Sequence, residues 1–324
     1  MSEILTLSRP EIEALLQIED GFEPVKDAYI AVTDGRCDLP SVGYLGFPDA
    51  KGDCHIKYGH IIGDPVFVIK IATGFYDNPS KGLPSSNGVM LALSAQTGEI
   101  MAILQDEGYL TDLRTGIGAA LATEAGCRSD AQRVGVVGTG IQARIQIRCL
   151  NALMPDAGFV FSVWGRSREK MNHLAQDLAA HQISVTVQPD LEALCADADI
   201  LLTTTSTKTP LIHSDWISKG THITASGADA PGKQELDSAL TARADLLILD
   251  SDAQCIDHGE VAIPAEAGLL SSDRYRTLGK ILSGQQAGRS ASSQITIADL
   301  TGLGSQDIAI ARTALDAYAR QNRS

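Results

Sequence analysis

The chain has 324 residues, more than a single hydrophobic core usually supports, so its length predicts two domains. Its hydrophobic content of 44% and charged content of 20% are those of an ordinary globular protein. A formal net charge of −14 argues against a nucleic acid or an anionic membrane surface as a partner.

The beginning of the chain predicts an α+β domain. Ser8-Arg-Pro-Glu11 is typical of a helix start, with Ser8 as N-cap and Glu11 able to close a capping box. Short strand-like segments follow between Gly35 and Ile103, and the clearest cover residues 66–71 and 89–93. These segments predict mainly antiparallel strands. An alanine-rich and glycine-rich helix over residues 110–125 is expected to lead into the next domain.

The strongest motif is a glycine-rich turn between an apolar strand and a helix. Val134 to Val137 reads as a buried strand, and a helix is predicted from Ile141. Gly138 permits a tight turn, Gly140 lets the backbone approach a pyrophosphate, and Ala143 keeps the helix close to the sheet. The helix N-terminus offers free N–H groups and a partial positive charge. The motif therefore predicts a bound dinucleotide, NAD or NADP.

After this turn, strands and helices alternate, which is typical of a Rossmann-type doubly wound parallel sheet. The expected strands cover residues 158–164, 184–187, 200–204, 222–225 and 245–249, and the expected helices cover residues 168–180, 191–196 and 234–242. A last helix over 306–320 is expected to pack on the first domain. We predict the α/β class, with a substrate-binding and dimerisation domain over residues 1–115 and 305–324, and a dinucleotide-binding domain over 116–304.

The residues at the end of the second strand of this sheet do not decide whether the cofactor carries a 2′-phosphate, that is, whether it is NAD or NADP. An NAD-binding unit usually has an acidic residue there, but this chain has Arg166, Ser167 and Arg168. These residues suit a 2′-phosphate and hence NADP. Alternatively, Arg166 stacks on the adenine while the others cap the next helix.

Two basic residues of the first section are candidates for binding a carboxylate. Lys70 interrupts an apolar run, so it must have a partner, either in a structural salt bridge or in a substrate. It is also a candidate proton donor. Arg114 lies where the chain leads into the nucleotide-binding half, as a carboxylate clamp or as a solvated helix residue.

Asp229 follows the predicted strand that ends at Ala225. Ligands of parallel sheets bind beyond the carboxyl ends of the strands, which places Asp229 near the amine of a substrate or a water molecule. It is also a candidate cap for a helix starting near Pro231.

Taken together, these segments resemble the ornithine cyclodeaminase/mu-crystallin family over nearly the whole chain. The matching residues are Lys70, Asn78-Pro79, Lys81-Gly-Leu-Pro84, Thr97-Gly98, Leu113-Arg-Thr115, Gly138-Thr-Gly-Ile-Gln-Ala143, Gly227-Ala-Asp-Ala-Pro-Gly-Lys233, Asp299-Leu-Thr-Gly302 and Gln306-Asp307. The resemblance implies a homodimer with a nicotinamide cofactor. It places Lys70 and Arg114 at the substrate carboxylate, with Lys70 as proton donor or acceptor, and Asp229 near the reacting nitrogen. Together with the residues of the glycine-rich turn and the second strand, the expected cofactor contacts are Ser86, Arg114, Gly138, Thr139, Gly140, Ile141, Gln142, Arg166, Ser167, Thr204 and Lys233.

One departure from the family pattern concerns the substrate. Members commonly carry an arginine after a proline in the early strand region, whereas this chain has Leu39-Pro-Ser-Val-Gly43. Lys57 is the candidate replacement for that cation. His55 and His60 are further polar candidates, and surface histidines are the alternative. No metal site is expected, because no third ligand accompanies them at suitable spacing.

The resemblance implies hydride transfer between the nicotinamide and a carbon that bears nitrogen, as in the amino-acid dehydrogenase and imine reductase members. If Lys57, His55 and His60 face the pocket, they suit a second carboxylate on the substrate, so the preferred reaction is reduction of iminosuccinate to aspartate. Ornithine cyclodeaminase and alanine-type dehydrogenase activities are the alternatives, and a mu-crystallin-like ligand binder without catalysis is another.

The expected location is the cytoplasm. Six cysteines without CxxC spacing favour reduced thiols over a disulfide framework or a zinc site. The first residues lack the basic and apolar regions of a signal peptide, and no apolar run approaches the roughly 18 residues of a membrane span.

Overall fold

The computed structural model describes residues 4–322, so the first three residues, on which the signal-peptide prediction partly rests, lie outside the described residues. Two compact units are formed by the described parts of Met1–Arg114 with Leu303–Ser324, and by Thr115–Gly302. The strands and helices up to the division are β1 (Leu5–Ser8), α1 (Arg9–Leu15), α2 (Phe22–Thr33), β2 (Cys37–Asp38), β3 (Gly43–Phe47), β4 (Gly52–Ile61), β5 (Val66–Phe75), β6 (Ser86–Ser94), β7 (Ile100–Gln105) and α3 (Tyr109–Gly126). The division falls within α3.

The remaining elements alternate between strand and helix until the C-terminal helix. They are β8 (Arg133–Val137), α4 (Ile141–Leu153), β9 (Val160–Trp164), α5 (Arg168–Ala179), β10 (Val185–Val187), α6 (Leu191–Asp197), β11 (Ile200–Thr203), β12 (His222–Ala225), α7 (Ser238–Arg243), β13 (Leu246–Leu249), α8 (Asp252–His258), α9 (Ala262–Glu266), β14 (Tyr275–Thr277), α10 (Leu278–Leu282), β15 (Thr296–Asp299) and α11 (Gly304–Gln321).

The first unit is built on a mainly antiparallel sheet. Its strand order is β1-β7-β6-β5-β4-β2, with β3 also paired to β4, and the pair β1–β7 is parallel. The expected helix start is confirmed, because α1 begins at Arg9 and the Ser8 N–H donates to the Glu11 carboxylate at 2.8 Å. The C-terminal helix α11 packs against α2 and β4, and buries Ile308 and Ile310. Each such side chain contributes about 1.5–3 kcal/mol of hydrophobic stabilisation.

The second unit is a parallel sheet in the order β10-β9-β8-β11-β12-β15-β13-β14. The order of its first five strands is that of a dinucleotide-binding fold, with the switch point beside β8. The strands β11, β12, β13 and β15 are buried along their whole length, and the apolar sequence of β13 is typical of such a strand. The predicted α/β class with a Rossmann-type sheet is confirmed.

Two parts of the sequence reading of this unit are wrong. The strands β14 and β15 were not expected. The helix expected over residues 234–242 begins only at Ser238. Glu235 and Leu236 instead donate their N–H groups to the buried carboxylate of Glu260, which draws this backbone out of a helix.

Candidate functional site

Three charged side chains of the first unit form one buried ion cluster. The Lys70 Nζ atom lies 2.9 Å from one carboxylate oxygen of Asp307, and the Arg114 Nε atom lies 2.8 Å from the other. Their exposed fractions are 2% for Lys70, 5% for Arg114 and 1% for Asp307. An unpaired buried ammonium would cost several kcal/mol, and Asp307 offsets part of that cost. The requirement that Lys70 has a partner is therefore confirmed, and this partner is a protein carboxylate, as the structural salt-bridge reading expects.

Each member of the cluster comes from a different element. Lys70 shares the inner face of β5 with the buried residues Val66 and Val68, because alternate residues of a strand point to the same side. Arg114 lies in the second turn of α3. Asp307 lies in the first turn of α11, where the helix dipole favours a negative charge.

Gln306 locks the guanidinium of this cluster in place. Its side-chain oxygen accepts from Arg114 Nη1 at 3.2 Å and from the Leu303 N–H at 2.9 Å. Its amide nitrogen donates to the Tyr29 hydroxyl at 2.9 Å and to the Arg114 carbonyl at 3.2 Å. Both side-chain polar atoms of Gln306 are satisfied, so Arg114 is held by a buried network and is not the solvated helix residue of the alternative reading.

Burial and charge set the protonation behaviour of the cluster. Burial lowers the pKa of Lys70, Asp307 opposes this effect, and the positive charges of Arg114 and Lys57 reinforce it, so that the pKa of Lys70 is about 7. Burial by itself would raise the pKa of Asp307, but the three cations outweigh it, and the pKa of Asp307 lies below its ordinary value. An amine with a pKa near 7 can both donate and accept a proton at neutral pH.

Two further groups share the sheet face of Lys70. Lys57 of β4 is the direct register partner of Lys70, so the two amines emerge side by side. Asp106 follows β7 and is 1% exposed, and its carboxylate accepts the Leu110 N–H at 2.9 Å at the start of α3. Burial raises the pKa of Asp106, although Lys70 and nearby N–H groups oppose this effect.

The two histidines considered as substrate contacts have local partners. His55 lies 3.7 Å from the Asp53 carboxylate and meets the Tyr44 ring edge-on. His60 Nε2 lies 2.9 Å from the Asp64 carbonyl oxygen. Both histidines are partly buried, so neither is a fully exposed surface residue.

The glycine-rich turn of the second unit has the geometry that a pyrophosphate needs. Gly138 has a φ of +129°, and a Cβ atom there would lie 2.3 Å from the Thr204 hydroxyl, so a side chain does not fit. At Gly140, by contrast, an added Cβ would meet no atom within 4 Å, which leaves open space in front of the turn.

The start of α4 supplies donors to this space. The helix begins at Ile141 with Gly140 as N-cap, and no side chain among residues 4–322 caps it. Its first N–H groups therefore point outward with the positive end of the helix dipole behind them. The turn residues present, Gly138 to Gln142, fit the phosphates of a dinucleotide.

Three other predicted cofactor contacts lie after β11, in the first turn of α4 and in the first unit. Thr204 directly follows β11 and donates its hydroxyl to the Val137 carbonyl at 3.3 Å, beside the turn. Gln142 lies in the first turn of α4 and accepts from Gln146 Nε2 at 3.4 Å. Ser86 is the first residue of β6 in the first unit.

The three polar residues after β9, Arg166 to Arg168, differ in their contacts. The Ser167 hydroxyl accepts the Lys170 N–H at 3.3 Å and so caps α5. Arg166 and Arg168 are exposed. Ser167 thus has the capping role of the alternative reading, while Arg166 stays a candidate for contact with the adenosine end of the cofactor.

Asp229 and Lys233 form an ion pair with a distance of 2.6 Å between Oδ1 and Nζ. The side chain of Asp229 is 50% exposed, and that of Lys233 is 13% exposed. The expectation that Asp229 caps a helix near Pro231 is wrong, because the next helix is α7 and its N-cap is Asp237. The loop 226–233 instead carries Asp229 beyond the carboxyl end of β12.

These units match a known family. The profile described as the ornithine cyclodeaminase/mu-crystallin family matches residues 3–322. The chain belongs to this family. The resemblance seen in the motifs is thereby confirmed.

Curated relatives of this family member include several enzymes of amino and imino acids. An uncharacterized cyclodeaminase of Sinorhizobium fredii is 38% identical over 95% of this chain and 94% of its own. The alanine dehydrogenase of Archaeoglobus fulgidus is 32% identical over 99% of this chain and 97% of its own. The iminosuccinate reductase of Paracoccus denitrificans is 30% identical over 97% of this chain and 96% of its own. The expected enzyme class, oxidoreductases acting on CH–NH or CH–NH2 groups, is the class of the dehydrogenase and reductase relatives.

Solved structures of family members superpose on this chain. An archaeal alanine dehydrogenase dimer with bound NAD has a TM-score of 0.89 at 29% identity, covering 98% of this chain and 97% of its own. The Paracoccus denitrificans iminosuccinate reductase in complex with NAD+ has a TM-score of 0.88 at 27% identity, with coverages of 98% and 97%.

Sequence reasoning did not assign a role to Asp307, which is the central acid of the ion cluster. The available signal was the run Ser305-Gln306-Asp307, three polar residues at the start of a helix that is otherwise buried on its apolar positions. All three are buried, and a buried polar run requires partners.

The described residues were compared with the requirements of a metal site and of a membrane-spanning helix. Among residues 4–322, no group of three or more His, Cys, Asp or Glu side chains is arranged to hold a metal ion. None of the helices in this part of the chain is long and apolar enough to cross a bilayer.

Proposed function

We propose that this protein is an NAD(P)H-dependent oxidoreductase that reduces a small imino acid to an amino acid. The observation that carries the proposal is the buried cluster in which Lys70 and Arg114 converge on the Asp307 carboxylate. Together with Lys57, these residues place three basic groups around the single carboxylate of Asp307. This excess of basic groups suits the carboxylate of an amino or imino acid, because Arg and Lys are the usual carboxylate ligands.

In this proposal Lys70 and Arg114 bind the substrate carboxylate. Asp307 and Gln306 fix the positions of the two cations before substrate arrives, which reduces the entropy lost on binding. Lys70 is also the candidate proton donor to the imine nitrogen, because its pKa is about 7. Asp229 is the second candidate for that proton, being a carboxylate in the loop after β12.

The cofactor would be held by the second unit around the glycine-rich turn, and when bound it supplies the hydride. Gly138, Thr139, Gly140, Ile141 and Gln142 would hold the pyrophosphate, with Thr204 and Lys233 beside them. Arg166 and Ser167 are proposed contacts at the adenosine end, and Ser86 and Arg114 are proposed contacts from the first unit. The NAD and NADH ligands in solved relatives support a nicotinamide cofactor.

For the substrate we propose iminosuccinate, which would give aspartate. Lys57 lies beside Lys70 in the β4–β5 register, which suits a second carboxylate on the same molecule. The similarity to an iminosuccinate reductase over 97% of this chain supports the choice.

The test is an absorbance assay of NADH and NADPH oxidation with oxaloacetate plus ammonium, which form iminosuccinate in solution. Aspartate is quantified as the product, and omission of ammonium controls for reduction of oxaloacetate itself. Turnover should exceed that with pyruvate plus ammonium. It should also exceed the release of ammonia from ornithine, which is measured directly because a cyclodeaminase regenerates its NAD and gives no net change in absorbance. Equal or absent turnover would contradict the iminosuccinate assignment, and cofactor binding without consumption on any substrate would favour a ligand binder.

We also propose a homodimer. The β3–β4 hairpin exposes four large apolar or aromatic side chains. They are Tyr44 (58%), Leu45 (55%), Phe47 (43%) and Tyr58 (41%). Exposed apolar surface of this kind is typical of a site that a partner protein covers. The dimer of the alanine dehydrogenase relative supports a second copy as that partner. Light scattering should give twice the monomer mass, and Leu45→Asp should lower it; a monomeric wild type would contradict the proposal.

A further inference from the structure

Glu235 holds two loops of the second unit together from a fully buried position. One carboxylate oxygen accepts the Thr205 N–H at 2.6 Å and the Thr205 hydroxyl at 2.7 Å. The other accepts the Thr203 hydroxyl at 2.7 Å and the Gly227 N–H at 2.8 Å. The first pair belongs to the loop after β11, and Gly227 belongs to the loop 226–233 after β12.

These loops approach each other too closely for a side chain at the crossing point. A Cβ atom on Gly227 would lie 2.0 Å from the Thr205 carbonyl oxygen and 2.5 Å from the Glu235 carboxyl group. Further bonds tie both ends of the loop to the same segment, since the Ser226 N–H donates to the Thr203 carbonyl at 3.1 Å and the Gln234 N–H donates to the Thr207 carbonyl at 3.0 Å.

A side chain from α4 joins the same network. Gln146 is 1% exposed and donates from Nε2 to the Ser226 hydroxyl at 2.8 Å. The Ser226 hydroxyl in turn donates to the Thr203 carbonyl at 3.0 Å. The helix that follows the glycine-rich turn is therefore connected to the strand ends that Glu235 bridges.

We propose that Glu235 is a positioning residue, which sets the place of Asp229 and Lys233 by bonding the loop 226–233 to the residues after β11. The inference rests on the proposed function, in which Thr204, Asp229 and Lys233 contact cofactor or substrate. Glu235 itself is buried below these residues and acts through the two loops.

The hydrogen bonds also assign its charge state relative to its neighbour Glu260. Each oxygen of Glu235 accepts two hydrogen bonds, and these bonds oppose the rise in its pKa that burial causes. Glu260 accepts one N–H on each oxygen, from Glu235 and Leu236, and keeps room for one. Burial together with the charges of Glu235 and Asp299 raises the pKa of Glu260 well above its ordinary value. The proton of this pair therefore resides on Glu260.

Glu235→Gln tests the positioning role with a side chain of almost the same shape. In either orientation, the new NH2 group faces a backbone N–H, that of Thr205 or that of Gly227. Both groups are donors, and a backbone N–H cannot rotate to accept a hydrogen bond, so that contact is lost. One loop is therefore released while the other stays bonded. Thr203→Val is the milder variant if the glutamine variant does not fold, since it removes one hydroxyl donor inside a buried strand.

The first readout is hydrogen exchange, measured by mass spectrometry on peptides that cover residues 203–207 and 226–233. We expect faster exchange in the peptide of the released loop, and hence in at least one of the two peptides, with an unchanged rate in β8. The second readout is turnover with NADH or NADPH. We expect kcat to fall about 10- to 100-fold with a smaller change in the KM for the nicotinamide, because a displacement of about 1 Å at a reacting group can cost about 100-fold.

Asp237→Asn is the matched control. Asp237 lies two residues away, caps α7 through the Leu240 N–H at 2.6 Å and binds the Ser214 N–H at 2.9 Å. Its variant should lose thermal stability while keeping kcat within about twofold and the exchange of the two loops unchanged, as expected for a helix cap.

Wild-type exchange in both peptides of Glu235→Gln, or of Thr203→Val where the first does not fold, would overturn the positioning role. A kcat within twofold of wild type would do the same. If the wild-type protein neither binds nor consumes a nicotinamide, the proposed function fails, and the exchange measurement alone still decides whether Glu235 holds the loops.

Discussion

Replacement of Asp307 by asparagine tests whether the buried ion cluster controls the protonation of Lys70. The variant keeps the shape of the side chain and removes the charge that lies 2.9 Å from Lys70 Nζ. At that distance the Coulomb energy is about 6 kcal/mol for an effective dielectric constant of about 20. Even about a quarter of this energy equals one pKa unit, about 1.4 kcal/mol.

The expected result is a shift in the pH dependence of activity. Protonated Lys70 binds the substrate carboxylate, so kcat/KM for the imino acid should fall in the wild type as the pH rises through about 7. In Asp307→Asn the fall should occur about one pH unit lower or more, because the attraction that keeps the proton on Lys70 is gone. We also expect a loss of about 3–5 kcal/mol in the free energy of unfolding, since two buried cations lose their carboxylate.

The assay is the pH profile of kcat/KM from pH 5 to 9, with urea unfolding as the stability measurement. Asp316→Asn is the control on the same helix, because its side chain is 59% exposed and pairs with Arg312 at 3.7 Å. It should change stability by less than about 0.5 kcal/mol and leave the profile unmoved. A folded Asp307→Asn protein whose kcat/KM falls at the wild-type pH would refute the coupling of Lys70 to Asp307.

Three further predictions concern other parts of the chain. Arg166→Ala should weaken NADPH binding more than NADH binding if Arg166 holds a 2′-phosphate, whereas equal losses would indicate stacking on the adenine. Gly138→Ala should abolish cofactor binding in a fluorescence titration, because φ is +129° and the new Cβ meets the Thr204 hydroxyl at 2.3 Å; Gly268→Ala, with a φ of +69° and no atom within 4 Å of the new Cβ, controls for backbone strain alone. The pKa of Lys70 is about 7 in the folded chain against an ordinary 10.5, so the unfolded chain holds the extra proton between these values, and the free energy of unfolding should rise with pH over that window. In Lys70→Met this part of the rise should be absent, and an unchanged slope would contradict the lowered pKa.

Local sequence patterns predicted much of this fold. The strand–glycine–helix motif identified the dinucleotide-binding unit. Gly138 has a positive φ and lies close to a neighbouring residue, so only glycine fits there, and this requirement is visible in the sequence. Alternation of apolar strands with helices predicted the parallel sheet, and β12 was predicted with its observed bounds, His222–Ala225. Lone elements of three or four residues such as β14 carry too little periodicity to be recognised.

The candidate site was predicted less completely. Lys70 and Arg114 were recognised from their residue types in apolar surroundings, and the burial penalty required a partner for the lysine. The sequence did not show which acid is that partner, because Asp307 lies on the last helix, far from Lys70 in the chain. The helix expected over 234–242 shows the same limit, because helix propensity could not reveal that Glu260 binds the N–H groups of Glu235 and Leu236.

The sequence by itself determined the local demands: a positive φ at Gly138, buried faces for short strands, and a counter-charge for Lys70. The tertiary structure decided which groups meet those demands. It brought α11 against β5, so that the Asp307 carboxylate pairs with two cations, whose positive charges lower its pKa. Partners distant in sequence are chosen by packing, because the energy of a buried charge depends on everything that surrounds it.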